Sequence, residues 1–420
     1  MSTRNRELAN LLVVGLLTAM GFASVYIARQ EVVSTASLSY AGFFFVLYLA
    51  AHLVARLTVP YADPYLLPMA GLLTAVGVTE IYRLDPTDAF RQGVWIVIAL
   101  GAFAATLLFV HRDYRLLESY KYLFGLTSIG LLALPALPGL GTTVNGARLW
   151  IHFGSLRFQP GELAKVMLIV FLAGYLREKR EVLAQGRLKD FGPLLMIWGG
   201  AMLVLVETND LGSALLYFGI FLAMLYVATG RLAFALIGGC LFVGGAAAAY
   251  KLIPHVRERV EIWLDPWQHV HSTGYQIAQS LYSISNGGFG GSGLGKGTFT
   301  TTAGVQLIPS ANTDFIYSAL AQELGLIGVA ALLLVFMLFV ARGMRIAMLA
   351  NDGFSKLLAA GLTFSFALQT FIIVGGILRL IPLTGITLPF VSYGGSSVVA
   401  NFVLLAGLML VSNRANAERA

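Results

Sequence analysis

The strongest constraint on this chain is that most of its residues lie in long apolar blocks separated by short polar stretches. About 20 apolar residues cross a bilayer as a helix, and only helices or closed barrels satisfy all their backbone hydrogen bonds in lipid. Hydrophobic residues make up 57% of the 420 positions and charged residues 12%, about half the charged share of a typical soluble domain. The sequence therefore predicts an all-α, polytopic integral membrane protein, and excludes a soluble enzyme, a disordered chain and a fibrous repeat.

The apolar blocks predict about twelve transmembrane helices and one large extracellular loop. The first block runs to Ala28 without a clear small-residue cleavage site, which favours a retained span over a cleaved signal peptide. An even number of spans places both termini on the same side. The predicted spans are residues 8–28, 38–55, 65–82, 93–110, 122–137, 162–176, 192–206, 211–229, 232–250, 315–341, 357–377 and 396–411.

The positions of lysine and arginine predict the orientation. With the N-terminus inside, more than half of the 28 basic residues fall in inner loops or inner tails, as expected for cytoplasmic segments. We therefore expect both termini to be cytoplasmic. The net charge of +7 contains no long basic run, which indicates contact with anionic membrane lipid rather than with nucleic acid.

The predicted extracellular loop, residues 251–313, has internal order. Asp265 and Pro266 separate two short patterns with the spacing i, i+4, i+7, which predict two amphipathic helices at the outer interface. The two patterns are Val256, Val260 and Trp263, then Ile277, Leu281 and Ile284.

Asp314 stands at the outer edge of the tenth predicted span. An acid in the first turn of a helix is stabilised by the helix dipole, so an ordinary helix-start role is one interpretation. Its place at the height of a lipid headgroup, next to a long loop, favours a functional one. Glu323 lies nine residues further, inside the span, and acids within a membrane are functional hypotheses by default.

Other charged residues lie at or near the outer ends of predicted spans. Glu162 and Lys165 are three residues apart, so they share a helix face and can form an ion pair. That pair is either structural or part of a polar pocket wall, with Arg148 available to bind phosphate bidentately. Glu207 and Asp210 mark a break between two spans, which is either a simple turn or part of the same site.

Two motifs indicate less than they first suggest. The stretch from Gly290 to Gly297 imitates a phosphate-binding loop, but its final position is Gly297 rather than Ser or Thr, and no strand precedes it. We interpret it as a tightly turned loop. Three loop histidines (His255, His269 and His271) are weak evidence for a metal, and the single cysteine, Cys240, allows no internal disulfide.

A Pro/Gly/Ser-rich segment leads into the last span. It runs from Leu383 to Ser397 and contains Pro389, Gly394 and Ser396. Small residues there permit close helix approach or an irregular backbone that lines a cavity.

Six motifs in order make the chain resemble the SEDS proteins (shape, elongation, division and sporulation), typified by RodA and FtsW. The resemblance covers roughly residues 65–411. Gly161, Ser310 and Asn312 depart from the family's usual Ser, Glu and His. The motifs are NGARLW near 145, QPGELAK near 159, NDLGS near 209, GYQIAQS with GGFGGSGLGKG, ANTDFIYSALAQELGLIG, and PLTGITLPFVSYGGSS.

The resemblance implies a peptidoglycan glycosyltransferase that polymerises lipid II at the outer face of the bacterial cytoplasmic membrane, with a class B penicillin-binding protein as its partner. Asp314 matches the family's essential acid and is the predicted catalytic base. The family has ten spans, so residues 1–58 are predicted to be an additional hairpin and residues 59–420 the SEDS core. The predicted substrate-binding residues are Arg148, Trp150, Glu162, Lys165, Asp210, Lys296 and Ser396.

Some alternatives stay open at this stage. A flippase for the lipid-linked precursor would place polar groups through the membrane midplane, whereas these cluster at one face. A non-catalytic scaffold would tolerate loss of Asp314.

No cofactor is required by the sequence, although a divalent cation (Mg or Mn) could assist. The short tail after the last span favours a RodA-like role over a septal one.

Overall fold

The computed structural model describes residues 2–30, 35–144, 147–154, 156–185, 191–299 and 307–419. Within these ranges the chain forms sixteen α-helices and one small sheet of three strands. The helices are α1 Thr3–Gln30, α2 Thr35–Thr58, α3 Leu66–Leu84, α4 Pro86–Val110, α5 Leu116–Ser119, α6 Lys121–Ala133, α7 Pro160–Glu178, α8 Arg180–Ala184, α9 Gly192–Glu207, α10 Leu211–Thr229, α11 Leu232–Leu252, α12 Pro254–Leu264, α13 Tyr275–Gly287, α14 Ile316–Leu349, α15 Gly353–Ile377 and α16 Gly395–Ala417.

A helix is found at each of the twelve predicted span positions. Within the described ranges, eight helices are long and apolar enough to cross a membrane: α1, α2, α4, α10, α11, α14, α15 and α16. Two shorter apolar segments correspond to α6 and α9. The protein is therefore a mostly helical, multi-pass integral membrane protein.

The distribution of apolar surface fits a lipid environment. Helix α11 contacts α10 and α12 but is otherwise exposed, with Leu236 and Leu241 both more than half accessible. Soluble monomers rarely expose contiguous apolar surface of this kind. The buried centre is formed by α15 and α16, which pack on each other and on α7 and α14, while α16 also packs on α4.

The prediction of an all-α fold is wrong for the segment that precedes α7. Strands β1 (Gly141–Val144), β2 (Ala147–Phe153) and β3 (Leu156–Phe158) form an antiparallel sheet in the order β1-β2-β3. The stretch is rich in Thr, Val, Ile, Trp and Phe, which fit a pleated half-buried surface. The Asn145-Gly146 pair between β1 and β2 is a hairpin signal in the sequence, and these two residues lie outside the described ranges.

The two helices predicted in the long outer loop are confirmed as α12 and α13. Helix α12 ends at Leu264, immediately before the predicted stop at Asp265. Within the predicted loop, residues 300–306 lie outside the described ranges.

A buried polar cluster fixes the N-terminal helices to one another. Arg4 Nη1 lies 2.6 Å from Glu7 Oε2, and His52 Nδ1 of α2 lies 2.6 Å from Glu7 Oε1. Arg4 also donates to the carbonyl oxygen of Ala62, in the connection to α3. Helix α1 packs on α2 and α3. The division predicted at residue 58 stays a prediction.

Close backbone approach fixes α3 against the segment before α16. A Cβ added to Gly77 would lie 2.2 Å from the carbonyl oxygen of Val391. A side chain at this position therefore requires the backbone to move.

We expect Gly77→Ala to lower the melting temperature of the detergent-purified protein, at a cost of about 1–3 kcal/mol, the usual range for overpacking. The matched control is Gly101→Ala on α4, where an added Cβ meets nothing within 4 Å. Alanine is the better helix former, so the control should melt at or above the wild-type temperature. Equal melting temperatures for Gly77→Ala and wild type would contradict this packing.

Candidate active site

A cavity of about 690 Å³ opens at the ends of the helices that bear the predicted site residues. Its walls come from the sheet, the first turns of α7, α10 and α12, the stretch before α14, and the connection between α15 and α16. Four predicted residues line it: Trp150, Glu162, Asp210 and Asp314. The structure thus brings together residues that are far apart in the sequence.

Asp314 is half-buried in the wall of this cavity, directly before α14. Burial raises the pKa of its carboxyl group to about 6, while the positive charge of Arg259 acts in the opposite direction. A methyl group on Gly385 would lie 3.6 Å from Asp314 Oδ2 and 3.9 Å from Arg259 Nη2. The carboxylate and the guanidinium therefore approach the same glycine.

Arg259 is the main residue that the sequence analysis missed. It is held on α12 by two hydrogen bonds, from Nη1 to the Leu383 carbonyl oxygen at 2.9 Å and from Nε to His255 Nε2 at 3.0 Å. Burial and the charge of Arg259 lower the pKa of His255, which favours the neutral ring that can accept this bond. Arg157 of β3 also lines the cavity. The apolar spacing of α12 predicted its helix but gave no reason to single out a charge on it.

The predicted Glu162–Lys165 pair exists and continues into the core. Lys165 Nζ lies 3.0 Å from Glu162 Oε2 and 2.6 Å from Gln369 Oε1 of α15. Gln369 in turn donates to the Thr387 carbonyl oxygen at 2.9 Å. Lys165 is buried, whereas Glu162 lines the cavity. The lysine therefore orients Glu162 and is itself removed from the cavity surface.

Asp210 combines a structural role with its place in the cavity. Its carboxylate accepts the N–H of Ser213 at 3.0 Å and caps the N-terminus of α10. Burial raises its pKa, and the bonds from Ser213 act in the opposite direction. The preceding Asn209 has φ 58°, a left-handed conformation that asparagine adopts more readily than most residues.

The segment that leads into α16 fixes the backbone around Asp314. Ser392 Oγ donates to the Thr313 carbonyl oxygen at 2.7 Å and accepts the N–H of Leu388 at 2.9 Å. The N–H of Tyr393 donates to the Asn312 carbonyl oxygen at 2.8 Å. The Pro/Gly/Ser-rich motif is therefore irregular backbone that lines the cavity and positions the acid.

Arg148 and Ser396 lie beside the cavity rather than in its lining. Arg148 donates from Nη2 to the Leu137 carbonyl oxygen at 2.9 Å, and its N–H donates to the Thr208 carbonyl oxygen at 3.3 Å. Ser396 Oγ accepts the N–H of Gln159, a lining residue, at 2.6 Å. Both contacts hold cavity walls in place.

Lys296 is not brought to this cavity, because its glycine-rich loop folds onto α14. Lys296 lines a different cavity with Ser24, Ile27, Ala28 and Leu294. In the loop, the N–H groups of Gly295 and Gly297 donate to Glu323 at 2.6 and 3.0 Å. Glu323 also lies 3.2 Å from Arg83 Nε. The intramembrane acid therefore has a structural role in anchoring this loop.

The same loop provides hydrogen-bond acceptors for backbone groups that a break in α14 leaves free. At Gly325 the backbone leaves the helical conformation (φ 66°, ψ −173°). Loop carbonyls of Gly288 and Phe289 accept the N–H groups of Leu326 and Ile327 at 2.9 and 3.2 Å. A Cβ on Gly325 would lie 2.2 Å from the Gly291 nitrogen. Glycine is needed here for close backbone approach rather than for phosphate binding.

The described residues contain no group of three His, Cys, Asp or Glu side chains that could hold a metal ion. His255 lines the cavity as a partner of Arg259, whereas His269 and His271 are not among its lining residues. The cavity instead offers one carboxyl group titrating near pH 6, further acids and two arginines. A carboxylate of that pKa is suited to accept a proton near neutral pH, and arginine is suited to bind phosphate.

The comparisons with known proteins match this architecture. The family model described as "Cell cycle protein", named for FtsW, RodA and SpoVE, matches residues 61–417. The peptidoglycan glycosyltransferase RodA of Mycobacterium tuberculosis is 40% identical over 98% of this chain and 91% of its own length. The probable peptidoglycan glycosyltransferase FtsW of a Geobacter species is 34% identical over 84% of this chain and 97% of its own length.

Two solved structures share the fold. A chain from a peptidoglycan synthase complex that coordinates polymerization and crosslinking aligns with a TM-score of 0.70. The rod shape determining protein RodA of Thermus thermophilus aligns with a TM-score of 0.62. Each is 27% identical and covers 84% of this chain, with 98% and 97% of its own length matched.

We expect Ser392→Ala to destabilise the protein, because the buried N–H of Leu388 and the partly buried carbonyl oxygen of Thr313 lose their partner. An unsatisfied buried group costs about 1–3 kcal/mol. The melting temperature in detergent should fall while the helical circular dichroism before melting is unchanged. Ser119→Ala, at an exposed position on α5, serves as the control. An unchanged melting temperature in Ser392→Ala would show that this serine does not hold the segment.

Proposed function

This chain belongs to the FtsW, RodA and SpoVE family of cell-cycle proteins, and from that membership we infer that it is a peptidoglycan glycosyltransferase that polymerises lipid II. We propose that polymerisation takes place in the 690 Å³ cavity, with Asp314 as the general base. The observation that carries this assignment is a half-buried carboxyl group, with its pKa raised to about 6, beside an arginine in one cavity.

In the proposed reaction, Asp314 accepts the proton of the acceptor sugar hydroxyl. The hydroxyl oxygen forms a bond to the anomeric carbon of the donor while the bond from that carbon to the lipid diphosphate breaks. Attack opposite the leaving group inverts the anomeric centre, as in inverting glycosidases. The departing diphosphate carries away the electron pair, so positive charge near it lowers the barrier.

The structure changes which residues are suited to the diphosphate. Arg148 is the phosphate ligand that the sequence suggests, and Lys165 is one of the predicted substrate-binding residues, but each is engaged in contacts beside the cavity. Arg259 and Arg157 line the cavity itself. We assign the diphosphate to these two arginines, and sugar or peptide groups of the substrate to Trp150, Glu162 and Asp210. The proposed steps use no metal ion, and assistance by a divalent cation stays a prediction.

We further propose that twelve helices cross the cytoplasmic membrane, with both termini inside and the cavity outside. The distribution of basic residues supports this orientation. The start of α1 and the end of α16 line a common cavity, so the two termini lie at the same end of the molecule.

The similarity to a chain of a peptidoglycan synthase complex supports a class B penicillin-binding protein as the crosslinking partner. Identity of 40% to mycobacterial RodA, against 34% to a Geobacter FtsW, supports a role in elongation.

Asp314→Asn should abolish polymerisation while leaving the fold intact, because the amide cannot accept the proton. General-base catalysis contributes about 10²–10⁴-fold. The purified variant incubated with lipid II should therefore make glycan strands at least about 10²-fold more slowly than wild type. Glu207→Gln removes an exposed acid at the same face, outside the cavity lining, and should retain activity. Glycan strands made by Asp314→Asn at the wild-type rate would refute the assignment.

The pH dependence provides a separate prediction. The carboxylate form is the base, so kcat/KM should fall about tenfold per pH unit below the pKa of about 6. Arg259→Gln removes the charge that lowers this pKa, so the acidic limb should move to higher pH, whatever the loss in maximal rate.

Arg257→Gln is the matched control for this shift. Arg257 lies on the same helix, is exposed, and pairs with Glu261 at 2.8 Å. Its substitution should leave the midpoint of the acidic limb in place. A midpoint that is identical in Arg259→Gln and wild type would separate Arg259 from the titration of Asp314.

A further inference from the structure

A second polar cavity, of about 310 Å³, lies at the opposite end of α14 from Asp314. Four elements meet there: the first turn of α1, the connection from α2 to α3, the last turns of α14 and the end of α16. The proposed reaction does not use this cavity. It joins the N-terminal hairpin to the rest of the protein at the face that carries both termini.

Charged groups give this cavity a positive character. Its lining contains three arginines, Arg6, Arg342 and Arg345, and one acid, Asp63, which is a formal charge of +2 (three minus one). Arg342 lies 3.3 Å from Asp63 and stacks on the Tyr65 ring at 4.3 Å. One charge is therefore neutralised inside the protein, and the remaining two belong to the exposed side chains of Arg6 and Arg345.

Hydrogen bonds preorganise the cavity walls. The N–H of Asp63 donates to Ser412 Oγ at 3.0 Å, and Asn416 Nδ2 donates to the Tyr61 carbonyl oxygen at 2.9 Å. These bonds tie the connection between α2 and α3 to the end of α16. On the side of α14, Ile346 and Leu349 supply an apolar wall.

We propose that this cavity binds the phosphate headgroup of an anionic phospholipid, with Arg6 and Arg345 as the two cations. The cavity lies at the ends of membrane-crossing helices, where lipid phosphates are found, and basic pockets of this kind on the inner side bind anionic headgroups. Guanidinium groups bind phosphate oxygens bidentately. The apolar wall of α14 continues from the headgroup towards the acyl chains.

The bound lipid would connect two parts of the chain. Arg6 belongs to α1, and Arg345 to the helix whose other end follows Asp314. A phosphate held by both bridges the N-terminal hairpin to α14. Anionic lipid should therefore raise the stability of the whole protein, since a ligand that binds the folded state stabilises it.

Native mass spectrometry of the full chain, purified in detergent and incubated with phosphatidylglycerol, cardiolipin or phosphatidylcholine, tests this site. Wild type should retain an anionic lipid at much lower concentration than phosphatidylcholine. Each arginine near an anionic lipid contributes about fivefold, so Arg6→Gln with Arg345→Gln should weaken retention about 25-fold. Arg6→Lys with Arg345→Lys keeps the charge but loses the bidentate geometry, so its retention should lie between that of wild type and that of the glutamine variant. It is also the comparison to use if the glutamine variant does not fold.

The control is the double substitution Arg180→Gln with Arg231→Gln. Arg180 is the first residue of α8 and Arg231 directly precedes α11. Both are exposed and lie outside the cavity lining, and their substitution removes the same charge. Equal loss of lipid in both double variants would mean that only overall charge matters and would overturn the site. Thermal protection by glycerol 3-phosphate equal to that by phosphatidylglycerol would also overturn it, as it would assign the cavity to free phosphate.

Discussion

A bilayer provides no water to satisfy a polar backbone, and the architecture of this protein depends on how it meets that requirement. Its buried helices are regular except where backbone is protected by other protein or lines a cavity. The segment before α16 is the main exception. It is held by Ser392 and Tyr393 through hydrogen bonds to the backbone before α14. The irregular backbone that positions Asp314 is therefore stabilised by hydrogen bonds from several of its freed groups to nearby partners.

The same requirement explains the glycine-rich loop. Helix α14 is broken at Gly325, which would leave N–H groups without partners inside the membrane. Loop carbonyls accept these groups, and Glu323 accepts two N–H groups from the loop in return. The exchange is reciprocal, so loop and helix stabilise each other. Glu323 therefore accepts hydrogen bonds from backbone N–H groups. This structural role weakens the argument that a charged residue within the span marks the transport path of a flippase.

Most of the helical framework could be predicted from the sequence, because a 20-residue apolar block in lipid has few alternatives to a helix. The ion pair of Glu162 and Lys165 was also predictable, since three-residue spacing places both on one helix face. The partners across helices were not. Gln369 is 204 residues from Lys165, and Arg259 shares the cavity and the approach to Gly385 with Asp314 because α12 and the connection before α16 line the same opening. Such contacts depend on helix packing, which local patterns do not encode.

The sheet was missed for a different reason. Long apolar blocks predict membrane spans, but hydrophobic periodicity is uninformative over strands of only three to seven residues. The placement of Lys296 required the same three-dimensional information, since its loop turns onto α14 instead of towards the cavity.

The balance of forces on Asp314 fits the role proposed for it. A nearby guanidinium alone would lower the pKa of a carboxyl group below its ordinary value, and would leave a weak base. Burial alone would keep the group protonated over a wider pH range. Here burial is the larger effect and Arg259 limits it, so that the pKa is about 6. The group is then ionised at neutral pH but remains basic enough to accept a proton, and in the proposed reaction the same arginine supplies positive charge where the diphosphate departs. In that proposal one pair of side chains accounts for both the proton transfer and part of the charge stabilisation.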